Sequence, residues 1–263
     1  MTYAVIGAGV VGATLARFFA AKDIPVLIAN ARGSETLGGL AAEIGPLVTA
    51  VTLAQAVKAD IILVAVGAVA FKDIGAVLQD WSGKIVIDVT NGFMLPPEVQ
   101  QAEYQGRLTS EVNAKRVPGA KLVKAFNQLR FKVLASPLPD DVGRRVVFVS
   151  SDHEDASAAV AALAESLGFA AIEVGKIRRW DWRGVTPAAV KYSKQIINSH
   201  DNASRQGQVP GACLVSLREA FVDICLIFLK HATFSGVAFL VRGQSKAIYR
   251  PGTRPPRRGP CRT

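Results

Sequence analysis

Residues 7–12 read Gly7-Ala8-Gly9-Val10-Val11-Gly12, a G-x-G-x-x-G turn between a short apolar run and a stretch with helical periodicity. In this context the first glycine permits a tight turn, the second lets backbone approach a pyrophosphate, and the third allows close packing of helix on sheet. The helix N-terminus would add its free N–H groups and positive dipole. We therefore predict that residues 7–12 contact a dinucleotide. A glycine turn that serves packing alone is the alternative.

Strand-like and helix-like segments alternate around this turn as far as residue 175. Eight short apolar runs are predicted as strands: Thr2–Ile6, Val26–Ala29, Leu47–Val51, Ile61–Val66, Lys84–Val89, Lys121–Ala125, Arg145–Val149 and Ala170–Val174. Six stretches are predicted as helices: Val10–Ala21, Glu35–Glu43, Leu53–Lys58, Val69–Gln79, Ser110–Arg116 and Asp155–Leu167. This alternation, with almost purely apolar strands, indicates a doubly wound α/β fold of the Rossmann type, in which helices cover both faces of a parallel sheet.

Polar residues stand where several of the predicted helices begin. Ser34, Thr52 and Asp152 have side chains that accept hydrogen bonds from the free N–H groups of a first helical turn, so we predict them as N-caps. His153 is the only histidine before residue 176. Because acidic residues flank it, we expect it at a helix start and not at a reaction centre.

The end of the second predicted strand distinguishes between the two nicotinamide cofactors. Enzymes that use NAD place an Asp or Glu there to hydrogen-bond the ribose 2′-hydroxyl. Residues 29–34 read Ala-Asn-Ala-Arg-Gly-Ser and contain no acid. Arg32 can pair with a 2′-phosphate as a planar fork, and Asn30 and Ser34 can donate hydrogen bonds to it, so the stretch predicts NADP(H). The alternative is a solvated Arg32 beside a plain helix cap at Ser34.

Three further strand ends carry candidate site residues, because doubly wound sheets bind ligands at the carboxyl ends of their strands. Val66 and Gly67 end the fourth predicted strand, Asn91 follows the fifth, and Asn127 follows the sixth. We expect these residues to border the nicotinamide and its hydride acceptor. The two amides suit the nicotinamide ribose, its carboxamide or a second substrate, with the capping of a turn as the alternative.

Longer stretches around these positions carry a family resemblance. Residues 28–37 read IANARGSETL, residues 80–91 read DWSGKIVIDVTN, and residues 123–127 read VKAFN. Together with the glycine turn, in this order and spacing, they resemble the NADP oxidoreductase family that depends on the deazaflavin coenzyme F420, particularly its short bacterial members. The resemblance covers about residues 1–176. It implies a compact reductase that binds NADP(H) and exchanges hydride with a flat acceptor, which in archetypal members is coenzyme F420. The cofactor-binding positions that it implies are Gly7, Gly9, Gly12, Asn30, Arg32 and Ser34.

Hydride transfer between two ring systems depends on alignment and on a dry pocket. We therefore expect no catalytic acid or base and no metal in this site. After the fourth predicted strand many family members have a proline and a large aromatic residue, whereas this chain has Val66-Gly67-Ala68-Val69. The smaller residues leave that wall of the site smaller and looser, so the identity of the acceptor stays open. The alternatives are a reductase of a flavin, quinone or imine, and an NADP(H)-sensing module without turnover.

The formal net charge of +10 belongs to the last third of the chain. Residues 1–175 hold 15 Lys and Arg against 17 Asp and Glu, whereas residues 176–263 hold 16 against 4. All three cysteines also lie in this basic part, at spacings that fit neither a zinc site nor a disulfide framework. The Gly-Pro-Leu element that helps to close the substrate side in this family is missing after residue 176. We predict an NADP-binding domain over 1–176 and an irregular basic tail over 177–263 that is poorly ordered or translated out of frame. A functional extension that binds nucleic acid or an anionic surface is the alternative.

The sequence also predicts location and partners. Residues 1–3 contain no basic region of the kind with which a signal peptide begins, and Asp223, Lys230 and His231 interrupt the apolar stretch Phe221–Val241. We therefore expect a cytoplasmic protein without a membrane partner. Its partner would be a small-molecule hydride acceptor, and nucleic acid is expected only if the basic tail is functional. A homodimer is compatible with the sequence.

Overall fold

The computed structural model describes residues 1–129, 131–136 and 144–179, in which eight strands form one sheet. The strands are β1 (Tyr3–Ile6), β2 (Val26–Ala29), β3 (Val48–Ala50), β4 (Ile61–Val64), β5 (Ile85–Asp88), β6 (Lys121–Lys124), β7 (Val146–Ser151) and β8 (Ala170–Gly175). Their order across the sheet is β3-β2-β1-β4-β5-β6-β7-β8. The first six follow the strand order of dinucleotide-binding folds. The predicted doubly wound α/β fold of eight strands is thus confirmed.

One pair departs from the predicted parallel sheet, because β7 runs antiparallel to β6, with Val123 opposite Ser151. Between these strands the structure describes a single helix of five residues, α7 (Phe131–Ala135). A parallel crossover needs about a dozen residues or more, usually with a helix that runs back along the sheet. The helix α7 is too short for that return. The long helix α8 (Glu154–Ser166) does return the chain, and β8 is parallel to β7.

All six predicted helices are present within a few residues of their expected bounds. Besides α7 and α8, the helices are α1 (Val10–Ala20), α2 (Gly38–Ile44), α3 (Leu53–Ala56), α4 (Phe71–Gly75), α5 (Pro97–Tyr104) and α6 (Thr109–Arg116). Short 3₁₀ turns lie at Ser34–Leu37, Ala68–Ala70, Gly92–Met94 and Ile177–Arg179. The helices α5 and α7 were not predicted, since α5 reads PEVQQAEY and is too polar and too short to show helical periodicity.

The predicted caps have mixed outcomes. Thr52 is an N-cap: its Oγ1 accepts the Gln55 N–H at 3.3 Å while Gln55 Oε1 accepts the Thr52 N–H at 2.9 Å, which makes a capping box. The prediction for Ser34 is wrong, because this residue is already the first of a 3₁₀ turn that follows Gly33.

The prediction for Asp152 is also wrong, because the N-cap of α8 is His153. His153 itself accepts no helix N–H with its side chain. The hydroxyl that serves this turn belongs to Ser151, whose Oγ accepts the His153 N–H at 3.1 Å. The N-cap thus lies one residue after the predicted position, and the helix begins at Glu154, one residue before its predicted start. The prediction that His153 lies at a helix start is confirmed.

The sheet is buried on both faces. Val5 on β1 packs on one side with Leu15 and Phe19 of α1, while its neighbours Ala4 and Ile6 pack on the other side. This second layer includes the fully buried Trp81. Successive strand residues point to opposite faces of the sheet. Because helices cover both faces, nearly every residue of a central strand is buried, which explains why these strands are almost purely apolar.

The described chain continues to Arg179. Ile177 is buried in the second core layer, and Arg178 forms an exposed ion pair with Glu111 of α6. The predictions for the tail beyond residue 179, its cysteines and the stretch Phe221–Val241 lie outside the described residues. Within the described ranges, no helix is long and apolar enough to cross a membrane.

Candidate functional site

The glycine turn joins β1 to α1, and its three glycines meet different surroundings. Gly7 has a φ of 108°, and a Cβ there would lie 2.3 Å from the Ala65 carbonyl oxygen. A Cβ on Gly12 would lie 1.7 Å from the Gly7 carbonyl oxygen. A Cβ on Gly9 would have no atom within 4 Å. The first and third glycines are therefore needed by the fold, whereas the second faces open space.

That open space lies at the N-terminus of α1. Gly9 is the N-cap residue and no side chain caps the helix, while Val10 is 58% exposed. The first N–H groups of a helix have no partner inside the helix, so an uncapped end offers donors and a positive dipole to an anion. The geometry fits the pyrophosphate role that the sequence predicts for Gly9.

The loop after β2 is ordered from within by Asn30. Its buried Oδ1 accepts the Arg32 N–H at 2.9 Å, and its Nδ2 donates to Thr36 Oγ1 at 3.0 Å. The Thr36 hydroxyl also donates to the Gly33 carbonyl oxygen at 2.8 Å. Both atoms of the Asn30 amide are thus engaged inside the loop. Sequence reasoning missed Thr36, although a hydroxyl two residues after Ser34 was the available signal.

Arg32 is exposed at this loop. Among the described parts of the chain, no carboxylate forms an ion pair with its guanidinium. Ser34 stands two residues further on at the start of the 3₁₀ turn. Contact of Asn30, Arg32 and Ser34 with a 2′-phosphate stays a prediction, and in the structure Asn30 serves by shaping the loop that carries the other two.

A cleft of about 280 Å³ opens beside the glycine turn, between the carboxyl ends of β4 and β5. It brings together the predicted residues Val11, Val66, Gly67 and Asn91. No ionisable side chain is among its lining residues, which are Val11, Ala65, Val66, Gly67, Ala68, Val89, Thr90, Asn91, Met94 and Leu95. The volume is near the lower end of the range for small-ligand pockets, about 300–1,000 Å³.

Asn127 does not line the cleft but holds Asn91, which does. Asn91 Nδ2 donates to the Asn127 carbonyl oxygen at 2.8 Å, and Asn127 Nδ2 donates to Asn91 Oδ1 at 2.9 Å. The preceding Phe126 has a φ of 60°, a left-handed conformation that costs about 1–3 kcal/mol for a residue other than glycine. Its buried ring packs edge-on against Phe169 at 5.6 Å, which helps to hold the turn.

A buried polar cluster lies behind the cleft wall at the end of β5. Asp88 Oδ1 accepts the Thr90 N–H at 2.9 Å and the Thr90 hydroxyl at 2.7 Å. Asp88 Oδ2 accepts the Ser110 hydroxyl at 3.0 Å and Asn113 Nδ2 at 3.1 Å. The Lys124 ammonium lies 3.2 Å from the same oxygen and also donates to the Thr90 carbonyl oxygen. Every member of the cluster is buried.

The two charges of this cluster are stabilised by each other. Burial alone would raise the pKa of the Asp88 carboxyl, but Lys124 and the hydrogen bonds from Thr90 and Asn113 outweigh it and lower the pKa below its ordinary value. Burial lowers the pKa of the Lys124 ammonium, and Asp88 opposes that shift. Sequence reasoning missed this pair. The available signal was an acid at the end of one strand and a lysine at the end of the next, although neither shows its partner.

The sequence model of the family described as NADP oxidoreductase, coenzyme F420-dependent, matches residues 2–92. A hypothetical protein from Sinorhizobium meliloti has a solved structure with 42% identity and a TM-score of 0.63; the match covers 68% of this chain and 86% of that one. A structure from Arthrobacter sp. FB24, assigned as an F420-dependent NADP reductase, has 25% identity and a TM-score of 0.55 over the same shares of the two chains.

A curated relative is the metalloreductase STEAP3 of Rattus norvegicus, which is 25% identical over 175 residues. The match covers 66% of this chain, and the chain spans only 33% of the length of that relative. The match to the family model includes the glycine turn, the loop that carries Arg32 and the lining residues of the cleft up to Asn91, and it ends one residue later. The chain therefore belongs to the NADP oxidoreductase, coenzyme F420-dependent, family.

Proposed function

We propose that this protein transfers hydride between NADP(H) and a flat acceptor of the coenzyme F420 type. The observation that carries the proposal is the position and lining of the cleft. It adjoins the glycine turn at Val11, and all its lining residues are apolar apart from Thr90 and Asn91. Two rings that exchange a hydride need this kind of dry and shaped space.

The cofactor would lie across the carboxyl edge of the sheet. Its pyrophosphate would sit over Gly9 at the N-terminus of α1, and its 2′-phosphate would pair with Arg32 at the end of β2. Its nicotinamide would then enter the cleft between Gly67 and Asn91. The adjacent strands β2, β1, β4 and β5 are parallel, so all these contacts fall on one edge of the sheet.

The lack of ionisable side chains among the described lining residues helps to distinguish between the candidate acceptors. Reduction of an imine requires a proton as well as a hydride, and a protein commonly supplies it from an ionisable side chain. None of the lining residues in the described chain is ionisable. An imine nitrogen must take its proton before or during hydride transfer. A deazaflavin takes hydride at a ring carbon and spreads the negative charge over its conjugated ring, so its proton can follow from solvent, and the lining favours it over an imine. The Arthrobacter relative, assigned as an F420-dependent NADP reductase, supports the same choice.

The wall after β4 leaves room for a large ring. A Cβ on Gly67 would meet no atom within 4 Å, and Ala68 behind it is buried. The proline and large aromatic residue that many family members have here would narrow this space. A flavin, which has the same three-ring outline, is therefore the second candidate acceptor.

The test is to mix the full chain with NADPH and coenzyme F420 and to follow the loss of nicotinamide absorbance. We expect oxidation of NADPH with F420, and slower oxidation when NADH replaces NADPH. The same assay is then repeated with a flavin, a quinone and an imine, and faster turnover of any of these would replace F420 in the proposal. Tight binding of NADPH without oxidation by any acceptor would refute the enzyme and leave the NADP(H)-sensing module.

A further inference from the structure

Thr90 and Asn91 line one wall of the cleft, and Thr90 is held in place by residues behind that wall. The carbonyl oxygen of Thr90 accepts a hydrogen bond from the Lys124 ammonium, and its N–H and hydroxyl both donate to Asp88. All three backbone and side-chain polar groups of Thr90 are thus bound by one ion pair. Neither Asp88 nor Lys124 lines the cleft itself.

The pair is built into the interior of the protein. The Asp88 side chain is completely buried and that of Lys124 is 8% exposed. The ammonium serves two acceptors, Asp88 Oδ2 and the Thr90 carbonyl oxygen. An apolar residue in place of Lys124 would leave both acceptors without this donor in a dry environment, and unpaired buried groups of this kind are costly.

The same cluster extends to the opposite wall of the cleft through α6 and α5. Asn113 Nδ2 donates a hydrogen bond to Asp88, and Asn113 Oδ1 accepts one from Arg116 Nη1 at 3.2 Å. The guanidinium carbon of Arg116 lies 5.6 Å from the ring centre of Tyr104, a cation–π contact. The Tyr104 hydroxyl donates to the Ala68 carbonyl oxygen at 3.0 Å. Each wall therefore has a backbone carbonyl that accepts a hydrogen bond from this one network.

We propose that Asp88 and Lys124 are positioning residues, which fix the Thr90–Asn91 wall where it meets the nicotinamide half of the cofactor. The inference rests on the proposed function for the location of the nicotinamide. It assigns no chemical step to either residue. The pair acts through Thr90 and Asn91. The adenine half of the cofactor would bind at the loop that carries Arg32, so a change in the pair should not affect its binding.

The test compares two ligands that differ in whether they carry a nicotinamide. Binding of NADPH and of adenosine 2′,5′-bisphosphate is measured for the full-length wild type and for Lys124→Met. Loss of one well-formed contact corresponds to about tenfold in affinity, so we expect NADPH to bind about tenfold more weakly and the bisphosphate to bind unchanged. The control is Lys121→Met on the same strand, since Lys121 pairs with Asp155 at the exposed surface. It should bind both ligands as the wild type does.

Two results would overturn the proposal: wild-type affinity of Lys124→Met for NADPH, or equal losses for both ligands. If that variant does not fold, Ser110→Ala removes one donor to Asp88 and should weaken NADPH binding about threefold with the bisphosphate unaffected. No selective loss in that variant would equally overturn it. Because the measurement is binding, a wild type that binds NADPH without oxidising it contradicts the proposed function alone. A wild type that binds neither ligand contradicts the proposed cofactor.

Discussion

Gly9 and Gly12 belong to one turn, yet a methyl group would have opposite effects at the two positions. Gly9 has φ −74° and ψ −174°, which any residue adopts, and the space beside its Cα is empty of protein atoms. A Cβ on Gly12 would lie 1.7 Å from the Gly7 carbonyl oxygen. Gly9 is therefore free to contact a ligand, and Gly12 is required by the packing of α1 on β1.

We expect Gly9→Ala to keep the unfolding free energy of the wild type within about 0.5 kcal/mol while it weakens NADPH binding. Gly12→Ala should lose about 1–3 kcal/mol of stability, because the backbone must move to admit the methyl group. Urea unfolding and NADPH titration of both variants provide the check. Wild-type affinity in Gly9→Ala would show that no phosphate approaches this turn.

Single residues differ in how far sequence could predict their role. The packing roles of Gly7 and Gly12 were predictable because the local spacing of the turn defines them. The cofactor contacts of Gly9 and Arg32 stay predictions. Asp88 and Lys124 lie 36 positions apart and meet only because β5 and β6 pair side by side. Nothing in the local sequence of either strand reveals that contact.

At the scale of elements, the contact between α4 and α6 supports the wall of the cleft. A Cβ on Gly75, the last residue of α4, would lie 2.2 Å from the Arg116 carbonyl oxygen at the end of α6. Arg116 in turn binds Glu103 of α5 at 2.8 Å. The three helices are thus packed as one layer, with no room for a side chain at Gly75.

We predict that Gly75→Ala lowers the unfolding free energy by about 1–3 kcal/mol through overpacking. The matched control is Gly39→Ala in α2, where a Cβ would meet no atom within 4 Å. That variant should gain up to about 1 kcal/mol, because alanine favours the helix more than glycine does. Chemical denaturation of both variants decides, and equal effects of the two changes would contradict this packing.

Elements with a strong local pattern were predictable and those without one were not. The strands β1 and β4 are four-residue apolar runs, and α1 has a clear apolar face, so their positions follow from periodicity. The helix α5 starts at Pro97 and contains few apolar residues, so no period could reveal it. The direction of β7 depends on how the chain returns from β6, and periodicity carries no information about that.

At the scale of the whole molecule, several carboxyl groups have a pKa below the ordinary value. Most of these carboxyl groups are exposed, and each contributes little to the free energy of unfolding, whereas Asp88 is fully buried. A carboxyl whose pKa is lower in the folded protein adds stability above its unfolded pKa, which for Asp is about 3.8. That contribution is lost as the pH falls through the lower pKa of the folded state.

We therefore expect the unfolding free energy to fall as the pH drops from about 5 into the acid range, with Asp88 as a main contributor. Asp88→Asn should be less stable than the wild type at neutral pH, because it leaves Lys124 without its counter-charge. The difference between the two proteins should shrink as the pH falls. Urea unfolding at a series of pH values measures this, and a constant difference across the series would mean that Asp88 carries no charge in the folded protein.

The sheet collects the candidate site from distant parts of the chain. Backbone hydrogen bonds of 2.8 Å join Gly7 to Ala29 and Ala65 to Ile6, so the Arg32 loop, the glycine turn and the cleft share one edge. We propose that this edge selects NADP(H) through the guanidinium of Arg32. This selection would depend on the charge of Arg32 and not on the glycines, which would serve NAD(H) equally well.

The most direct measurement is the ratio of the dissociation constants for NADH and NADPH, in the wild type and in Arg32→Ala. We predict that the wild type binds NADPH more tightly and that Arg32→Ala loses about tenfold or more for NADPH while its affinity for NADH stays nearly unchanged. Arg107→Ala, which removes an exposed arginine whose described contact is with Gln105, should leave both constants unchanged. Equal losses for the two cofactors in Arg32→Ala, or a wild type that does not distinguish them, would contradict the account.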